Sequence, residues 1–308
     1  MMKRWMFTGV MLLALMSGFS QTTEVENQLK TQKVDTLLGW KKGGVINISV
    51  SQTSLTNWAA GGQSSVALNG LLSLYAHLKQ DNSLWENYLD LGYGTLKQGK
   101  ETDWWKTDDK IDFTSKFGLK ATEKLYYAAL LNFKTQMADG YNYPNDSVKI
   151  SDFLAPGYLL GGLGLDYKPG ENFTVFLAPV TLKLTMVNDD ALSDFGAFGV
   201  DPGEQFRSEF GGYLRMFMKH ALMENINFQT KLDLFSNYLD HPERIDVSWE
   251  VLLAMKVNKF ISATLSTHLL YDYDVDIPID NNDDGITDEL GHKVQFKEVL
   301  AVGLSVNF

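Results

Sequence analysis

The chain repeats one pattern of hydrophobic and polar residues from Gly44 to its last residue, Phe308. Runs of about ten residues alternate between apolar and polar side chains, and each run ends in a polar or glycine-rich segment. A period of two is typical of β-strands that have one apolar face. About twelve such runs predict about twelve strands, at residues 45–52, 64–79, 84–96, 110–121, 125–137, 153–167, 173–187, 207–219, 225–236, 246–257, 260–271 and 293–308.

The predicted connections alternate in length along the chain. Short ones lie at 80–83, 122–124, 168–172, 220–224 and 258–259, with longer ones between them. Single-chain transmembrane barrels have short periplasmic turns and long outer loops. A soluble sandwich with Greek-key connections gives no reason for this alternation. The pattern predicts an all-β fold: a single antiparallel, up-and-down transmembrane β-barrel over residues 44–308, with both termini in the periplasm.

The last predicted strand alternates up to a terminal aromatic residue, Phe308. This ending resembles the signal that the barrel assembly machinery of the outer membrane recognises. Aromatic residues also lie near the ends of other predicted strands, where interfacial girdles of membrane barrels are found. Trp85 and Trp249 are examples. We therefore expect outer-membrane lipid around the barrel and assembly machinery as a partner during insertion.

The first twenty residues have the pattern of a signal peptide: Lys3 and Arg4, an apolar run at 6–16, then small residues. The apolar run is shorter than the roughly 20 residues that a spanning helix needs. We place cleavage before Gln21. Residues 21–43 are polar and charged and predict a flexible periplasmic segment, with a small plug as the alternative. The expected location is the outer membrane of a Gram-negative bacterium.

Composition narrows the possible partners. The chain has no cysteine, so no disulfide holds the fold. Its net charge of −11 becomes about −13 without Lys3 and Arg4, because 25 basic and 38 acidic residues remain. This sign argues against binding to nucleic acid.

The polar face of the predicted strands carries charges of both signs in nearly equal number. Such groups either pair across strands or stay hydrated. This predicts a narrow pore or transporter for small solutes, or a closed barrel whose long acidic outer loops meet an external partner; the sequence leaves both open and names no solute. The predicted interior residues are Glu86, Asp90, Asp112, Lys116, Lys134, Lys183, Glu209, Arg215, Lys231, Asp233, Glu250 and Lys256.

The first long loop contains Asn57 and Trp58, followed by two glycines that permit a tight turn. These two residues are candidates for contact with a ligand or for a constriction. The alternative is a tryptophan that packs the loop against the barrel rim.

An acidic loop near the C-terminus resembles the start of a calcium-binding loop. Asp280, Asn282 and Asp284 offer oxygen ligands at alternate positions, and Asp288 or Glu289 could complete the site. The twelfth position is Gly291 instead of the usual glutamate. The loop is therefore predicted either to bind calcium or to be a solvated acidic loop, and no other cofactor is predicted.

An outer-membrane hydrolase is the third functional class. His268 on an inward position, or Asp240 with His241 in a loop, would supply the chemistry. No serine has a recognisable nucleophile motif around it. We assign no catalytic residue and do not favour an enzyme.

Several short motifs resemble an uncharacterised family of exported Bacteroidota proteins of unknown function. The resemblance implies an outer-membrane barrel and no known activity or catalytic residue. The motifs are Asn-Trp-Ala-Ala-Gly-Gly at 57–62, Trp-Glu-Asn at 85–87, Asn-Phe-Lys-Thr-Gln at 132–136, Ala-Pro at 155–156, Phe-Gly-Val at 198–200 and the C-terminal strand.

Overall fold

The computed structural model describes residues 38–55, 63–99, 102–141, 143, 146–170, 172–256, 261–279, 289–304, 306 and 307. This part of the chain is almost entirely β-structure. The strands are β1 (Gly39–Thr53), β2 (Ser65–Lys79), β3 (Ser83–Gln98), β4 (Trp105–Lys120), β5 (Leu125–Thr135), β6 (Gly140–Tyr141), β7 (Lys149–Ser151), β8 (Gly157–Gly170), β9 (Phe173–Met186), β10 (Phe206–Met223), β11 (Ile226–Asn237), β12 (Ile245–Lys256), β13 (Ile261–Tyr271), β14 (Ile277–Ile279), β15 (Glu289–Gly291), β16 (Gln295–Leu304) and β17 (Val306–Asn307).

Thirteen of the described strands form one antiparallel sheet, in the order β16-β13-β12-β11-β10-β9-β8-β5-β4-β3-β2-β1-β17. Each long strand pairs with its neighbours along the chain. At one edge β16 pairs with β13, for example Leu300 with Leu265. At the other edge β17 pairs with β1, with Asn307 opposite Val45. Residues 295–307 therefore pair with strands at both edges of the sheet.

The prediction of an all-β antiparallel fold is confirmed, and each of the twelve predicted strands has a counterpart in the sheet. The boundaries differ at some ends. β1 begins at Gly39, before the predicted start at Val45, because pairing with β2 continues through Trp40 and Leu78. The Trp40 ring also packs against Trp85, with 5.9 Å between ring centroids. β4 likewise begins at Trp105, five residues before the predicted strand.

Three long connections contain structure that the alternation did not predict. β6 pairs with β7 in the connection between β5 and β8, and β14 pairs with β15 between β13 and β16. A short helix α1 (Asp190–Asp194) and a 3-10 helix (Ala197–Gly199) lie between β9 and β10. Ala155, Val187, Leu192 and Val200 form a small buried cluster that joins two of these connections. No helix in the described ranges is long and apolar enough to cross a membrane.

The sheet buries its polar face and exposes its apolar face. Three consecutive residues of β8 show this: Leu165 is 39% exposed, Asp166 is 2% exposed and Tyr167 is 43% exposed. In β9, Leu182 is exposed whereas Thr181 is fully buried. We call the face that carries Asp166 the inner face and the face that carries Leu165 the outer face. A sheet of a water-soluble protein normally has the opposite arrangement.

Candidate functional site

The inner face concentrates charged side chains that are almost out of contact with solvent. Successive side chains of a strand point to opposite faces, so each of these residues has an apolar neighbour in sequence on the outer face. The same alternation therefore directs the charged side chain to the buried face. Side chains with less than a tenth of their surface exposed include Glu86, Asp90, Asp112, Asp166, Glu209, Lys231 and Asp233. A buried charge is costly without a partner, so each of these groups needs an opposite charge or hydrogen bonds.

The first cluster, which we call the turn-end cluster, comprises Glu86, Lys116, Asp166 and Lys168, near the short turns. Lys116 Nζ lies 2.8 Å from Asp166 Oδ2 and 3.3 Å from Glu86 Oε2. Lys168 Nζ lies 2.5 Å from Glu86 Oε2 and 3.4 Å from Asp166 Oδ2. The Thr174 hydroxyl donates a further hydrogen bond to Asp166 at 2.8 Å. Two cations and two carboxylates thus neutralise each other.

These contacts require a strongly curved sheet. Glu86 is on β3 and Lys168 is on β8, with β4 and β5 between them. Three strand spacings of about 4.8 Å would separate them by about 14 Å on a flat sheet. Their contact at 2.5 Å brings the inner face of β8 toward that of β3, so the inner face is concave.

The second cluster lies on β10, β11 and β12. Arg215 donates from Nε and Nη2 to the two oxygens of Asp233, at 2.7 and 2.9 Å. The Tyr213 hydroxyl donates to the same carboxylate at 2.9 Å. Beside it, Lys231 Nζ lies 2.6 Å from Glu250 Oε1. A two-point guanidinium–carboxylate pair fixes both geometry and charge.

The third cluster, the loop-end cluster, lies at the end of the strands with the longer loops. Lys183 Nζ lies 2.7 Å from Asp246 Oδ2, 3.3 Å from Glu209 Oε2 and 3.5 Å from Asp272 Oδ2. Arg207 contacts both Glu209 and Asp274. Lys183 is on β9 and Asp246 is on β12, so this cluster too spans three strand spacings.

Three carboxylates of the loop-end cluster have oxygens close enough to hold a cation. One oxygen each from Asp246, Asp272 and Asp274 lie within 4.8 Å of one another. The same carboxylates already face Lys183 and Arg207. These two side-chain cations already neutralise the carboxylates that a metal ion would bind, and we assign no metal here.

Asp90 and Asp112, which pair across β3 and β4, each accept a hydrogen bond from a neutral donor, and Lys110 Nζ lies 3.7 Å from Asp112. The Ser73 hydroxyl donates to Asp90 at 2.6 Å, and the Asn132 amide donates to Asp112 at 2.7 Å. Lys134 Nζ is 3.9 Å from Asp112.

An apolar layer on the inner face was not predicted. Alternation assigns every apolar run to the outer face, yet here apolar residues share the inner face with charged ones. The available signal was strand parity: Tyr213 has the parity of Arg215, and Phe235 has that of Asp233. The layer consists of Ala128, Leu130, Phe176, Ala178, Tyr213 and Phe235, with Leu160 packed against it.

A cavity of about 130 Å³ lies between the turn-end cluster and this apolar layer. Gly170 and Phe173, beside the turn that joins β8 to β9, border it at one end. Leu130 and Phe176 of the apolar layer border it at the other. The cavity is therefore approached from the short-turn end and meets apolar side chains deeper in.

The structure places the predicted interior residues as follows. All are buried or half-buried except Lys256, which is exposed as the last residue of β12. The exposure follows from its position at the strand end, where side chains of either parity reach solvent. Asn57 and Trp58, the acidic-loop residues Asp280, Asn282, Asp284 and Asp288, and Phe308 lie outside the described residues.

His268, the residue considered for hydrolysis, lies on β13 opposite Glu250 in register. Its Nε2 is 2.9 Å from the hydroxyl oxygen of Ser248. A serine hydrolase needs an acid that orients the histidine. Glu250 pairs with Lys231, and we assign no catalytic role to His268.

Comparison with known proteins gives a match of unknown function. A family model described as "Protein of unknown function (DUF3078)" matches residues 50–141. No curated protein matches the chain. The predicted resemblance to a family of unknown function is confirmed over these residues, and the Bacteroidota origin stays a prediction.

Among solved structures, the chain is similar to an outer membrane channel from Pseudomonas putida F1, with a TM-score of 0.42, 12% identity, and coverage of 89% of this chain and 97% of that chain. It is also similar to the translocator domain of the autotransporter NalP from Neisseria meningitidis, with a TM-score of 0.37, 10% identity and 93% coverage of each chain. The P. putida toluene transporter TodX gives a TM-score of 0.36 at 12% identity, with 89% of this chain and 80% of that chain covered.

Proposed function

We propose that the chain is an outer-membrane β-barrel whose last strand closes the sheet. Closure is supported by the pairing of β16 with β13 and of β17 with β1, because Ser305 alone separates β16 from β17 in the sequence. The ion pairs that span three strand spacings support the same curvature. A closed sheet leaves no unpaired edge, which a membrane requires.

The observation that carries the membrane location is the reversed burial of the sheet. Leu163 and Leu182 are 60% and 53% exposed, whereas Asp166 is 2% exposed. In water this arrangement would forfeit the free energy of apolar burial and still bear the cost of burying charge. In lipid it is the favourable one. A Gram-negative outer membrane, a cleaved signal peptide at 1–20 and periplasmic termini complete the proposal.

For activity, we propose a narrow pathway for small polar solutes through the barrel. The interior cations keep partial access to solvent: the side chains of Lys134 and Arg215 are 35% and 18% exposed. A second candidate, a closed barrel that acts through its outer loops, is favoured by the apolar layer, in which Phe176 is 2% exposed. Conductance separates the two.

The barrel itself is tested by electrophoresis and circular dichroism in detergent. We expect β-rich spectra and a band that migrates differently before and after boiling, because a closed barrel resists unfolding by detergent alone. Unchanged mobility together with full solubility in detergent-free buffer would contradict the barrel.

The pathway is tested in planar lipid bilayers with folded protein. We expect small, steady conductance steps from the natural chain and larger steps from Phe176→Ala, because this change removes part of the apolar layer. Leu177→Ala, next to it on the outer face, is the matched control and should leave the steps unchanged. Absence of conductance in the natural protein would exclude the pore and support the closed barrel.

A further inference from the structure

The cavity between the turn-end cluster and the apolar layer has a strongly cationic wall. Its volume is about 130 Å³. Within the described part of the chain, the charged side chains that line it are Lys116, Lys168, Arg215, Lys231 and one carboxylate, Glu86. Four cations therefore share this wall with one acid.

The carboxylates that balance the other cations do not contribute to the described wall. Asp166 contacts both lysines of the turn-end cluster, and Asp233 holds Arg215. Glu250 pairs with Lys231. Each cation is thus anchored by an acid outside the wall and contributes its own charge to the cavity. The clusters are therefore neutral overall, and the wall itself presents more cations than carboxylates to the cavity.

The cations retain the capacity to bind a further acceptor. A guanidinium has five N–H donors, and Arg215 contacts Asp233 through Nε and Nη2, which leaves the two donors of Nη1 beyond that pair. An ammonium group has three donors, and Lys168 divides its contacts between Glu86 and Asp166. An added anion can therefore be bound without breaking the clusters.

The rest of the wall is largely aromatic and apolar. Phe173, Phe176 and Phe217 line the cavity together with Leu130 and Tyr88. Such a wall favours an apolar body and gives little to a fully hydrated ion such as phosphate. The combination of cations and aromatic rings selects a ligand that has both an anionic group and an apolar part.

We propose that this cavity is a binding site for small carboxylates with an apolar, ring-sized body, about the size of benzoate. The carboxylate contacts the cations and the body packs against the phenylalanines. This proposal rests on the proposed function, because a closed barrel makes the cavity part of the path from the short-turn end. It names the class of solute that the interior retains.

Isothermal titration calorimetry of the folded protein in detergent tests the site without requiring conductance. Benzoate is the probe, and benzamide and benzylammonium are probes of similar shape with neutral and positive charge. We expect benzoate to bind at least about tenfold more tightly than either, since hydrogen bonds to charged groups contribute about 1.5–3 kcal/mol. Equal affinities for benzoate and benzamide would overturn the proposal.

Two variants locate the binding. Lys168→Gln removes one wall cation while Lys116 still contacts Glu86 and Asp166, and should weaken benzoate binding about tenfold. Gly170→Trp places a ring at the border of the cavity. The larger side chain has room there, because a Cβ at Gly170 meets nothing within 4 Å. Gly161→Trp is its matched control: Gly161 also has open space around it and does not line the cavity.

The electrophoretic shift shows whether each variant is folded. If Lys168→Gln does not fold, the comparison of Gly170→Trp with Gly161→Trp decides. Benzoate binding unchanged in Gly170→Trp would place the ligand elsewhere and overturn the site. Benzoate binding that needs Gly170, in a protein without conductance, would refute the pathway and support the site. Conductance without preferential benzoate binding would refute the site alone.

Discussion

At the scale of single residues, several interior cations each contact more than one carboxylate. Lys183 is the clearest case, since its ammonium lies within 3.5 Å of Asp246, Glu209 and Asp272. Its side chain is 15% exposed, so solvent compensates little when it is lost. Removal of such a cation leaves like charges together in a buried position, which costs more than the intact pair contributes.

Lys183→Met is expected to lower the free energy of unfolding by about 3 kcal/mol or more. Urea titrations in lipid vesicles, followed by tryptophan fluorescence, measure the change. Lys183→Arg should restore most of the stability because the positive charge returns. Lys256→Met, at the exposed end of β12, is the matched control and should change the midpoint little. An equal loss in both methionine variants would show that Lys183 has no special role.

At the scale of elements, two glycines allow neighbouring strands to approach at irregular points of the sheet. The register between β8 and β9 shifts between Leu163 and Leu165. A Cβ on Gly164, inside this bulge, would lie 1.9 Å from the Leu177 carbonyl oxygen. Gly211 lies at the corresponding shift between β10 and β9 and would collide with the Ser236 carbonyl oxygen. Backbone atoms cannot move aside as a flexible side chain can.

Gly164→Ala should therefore destabilise the sheet by about 1–3 kcal/mol, the usual cost of forcing extra atoms into a packed site. Gly161→Ala, on the same strand with open space around its Cβ, should be neutral or slightly stabilising because alanine restricts the unfolded chain more. Urea midpoints of the two variants make the comparison. Similar midpoints would contradict the close approach at Gly164.

The connections between β5 and β8 and between β9 and β10 are tied by charge. Lys149 Nζ lies 2.6 Å from Asp152 and 2.9 Å from Asp189, and the Asp189 carboxylate accepts the Leu192 N–H as the N-cap of α1. The Lys149 hydrogen bond lowers the pKa of Asp152. The Leu192 N–H, and then Lys149, lower the pKa of Asp189. These ion pairs hold the β5–β8 connection against the β9–β10 connection.

A carboxyl whose pKa is lowered by folding stabilises the fold above its unfolded pKa, about 4. That stabilisation is lost as the pH falls through the lowered value. Protection of the Leu192 amide against hydrogen exchange, corrected for intrinsic rate, should stay constant from pH 7 to 5 and fall below about pH 4. Asp189→Asn keeps a capping oxygen but removes the charge, and should show a smaller pH dependence. Asp201→Asn, exposed nearby, is the control. An unchanged pH profile in Asp189→Asn would contradict this assignment.

The sequence predicts the strands well because alternation is a local property. The twelve strands need only the period of two within each run. The contact between Lys168 and Glu86 depends on how far β8 curves toward β3, and a local pattern contains no information about curvature. The apolar layer was not predicted, because the alternation places polar residues on the inner face and does not show which apolar residues, such as Phe176 and Leu130, share it. The buried cluster around Val187 and Leu192 lies in connections where periodicity ends.

At the scale of the whole molecule, the outer face is an apolar surface, and whether its exposure is favourable depends on the surrounding solvent. Scattered apolar residues on a water-soluble protein need no explanation, whereas a continuous exposed surface marks a binding or membrane surface. Exposed apolar residues occur on most long strands of the sheet, and include Leu68, Trp85, Phe117, Tyr127, Leu131, Leu163, Leu177, Leu182, Phe210 and Trp249.

Leu182→Arg distinguishes lipid from water around this face. In a bilayer the substitution should cost about 2–4 kcal/mol near the midplane, and in water an exposed arginine should cost almost nothing. Phe195→Arg is the control, because Phe195 is 86% exposed in the connection between β9 and β10. Folding yield and urea midpoint in vesicles are the measurements. If both arginines are tolerated equally, the outer face does not contact lipid.

The pairing of β17 with β1 also determines the order of events as the protein is made. Val45 pairs with Asn307, so the second edge of β1 can be covered only after nearly the whole chain has been added. Until then β1 and β13 each have an edge with unpaired backbone groups, and such edges template pairing between molecules. Closing so long a segment is also slow, since its loop entropy is lost before the contacts form. A chain cut short before β16 is therefore expected to aggregate, with its missing strand supplied by a neighbour.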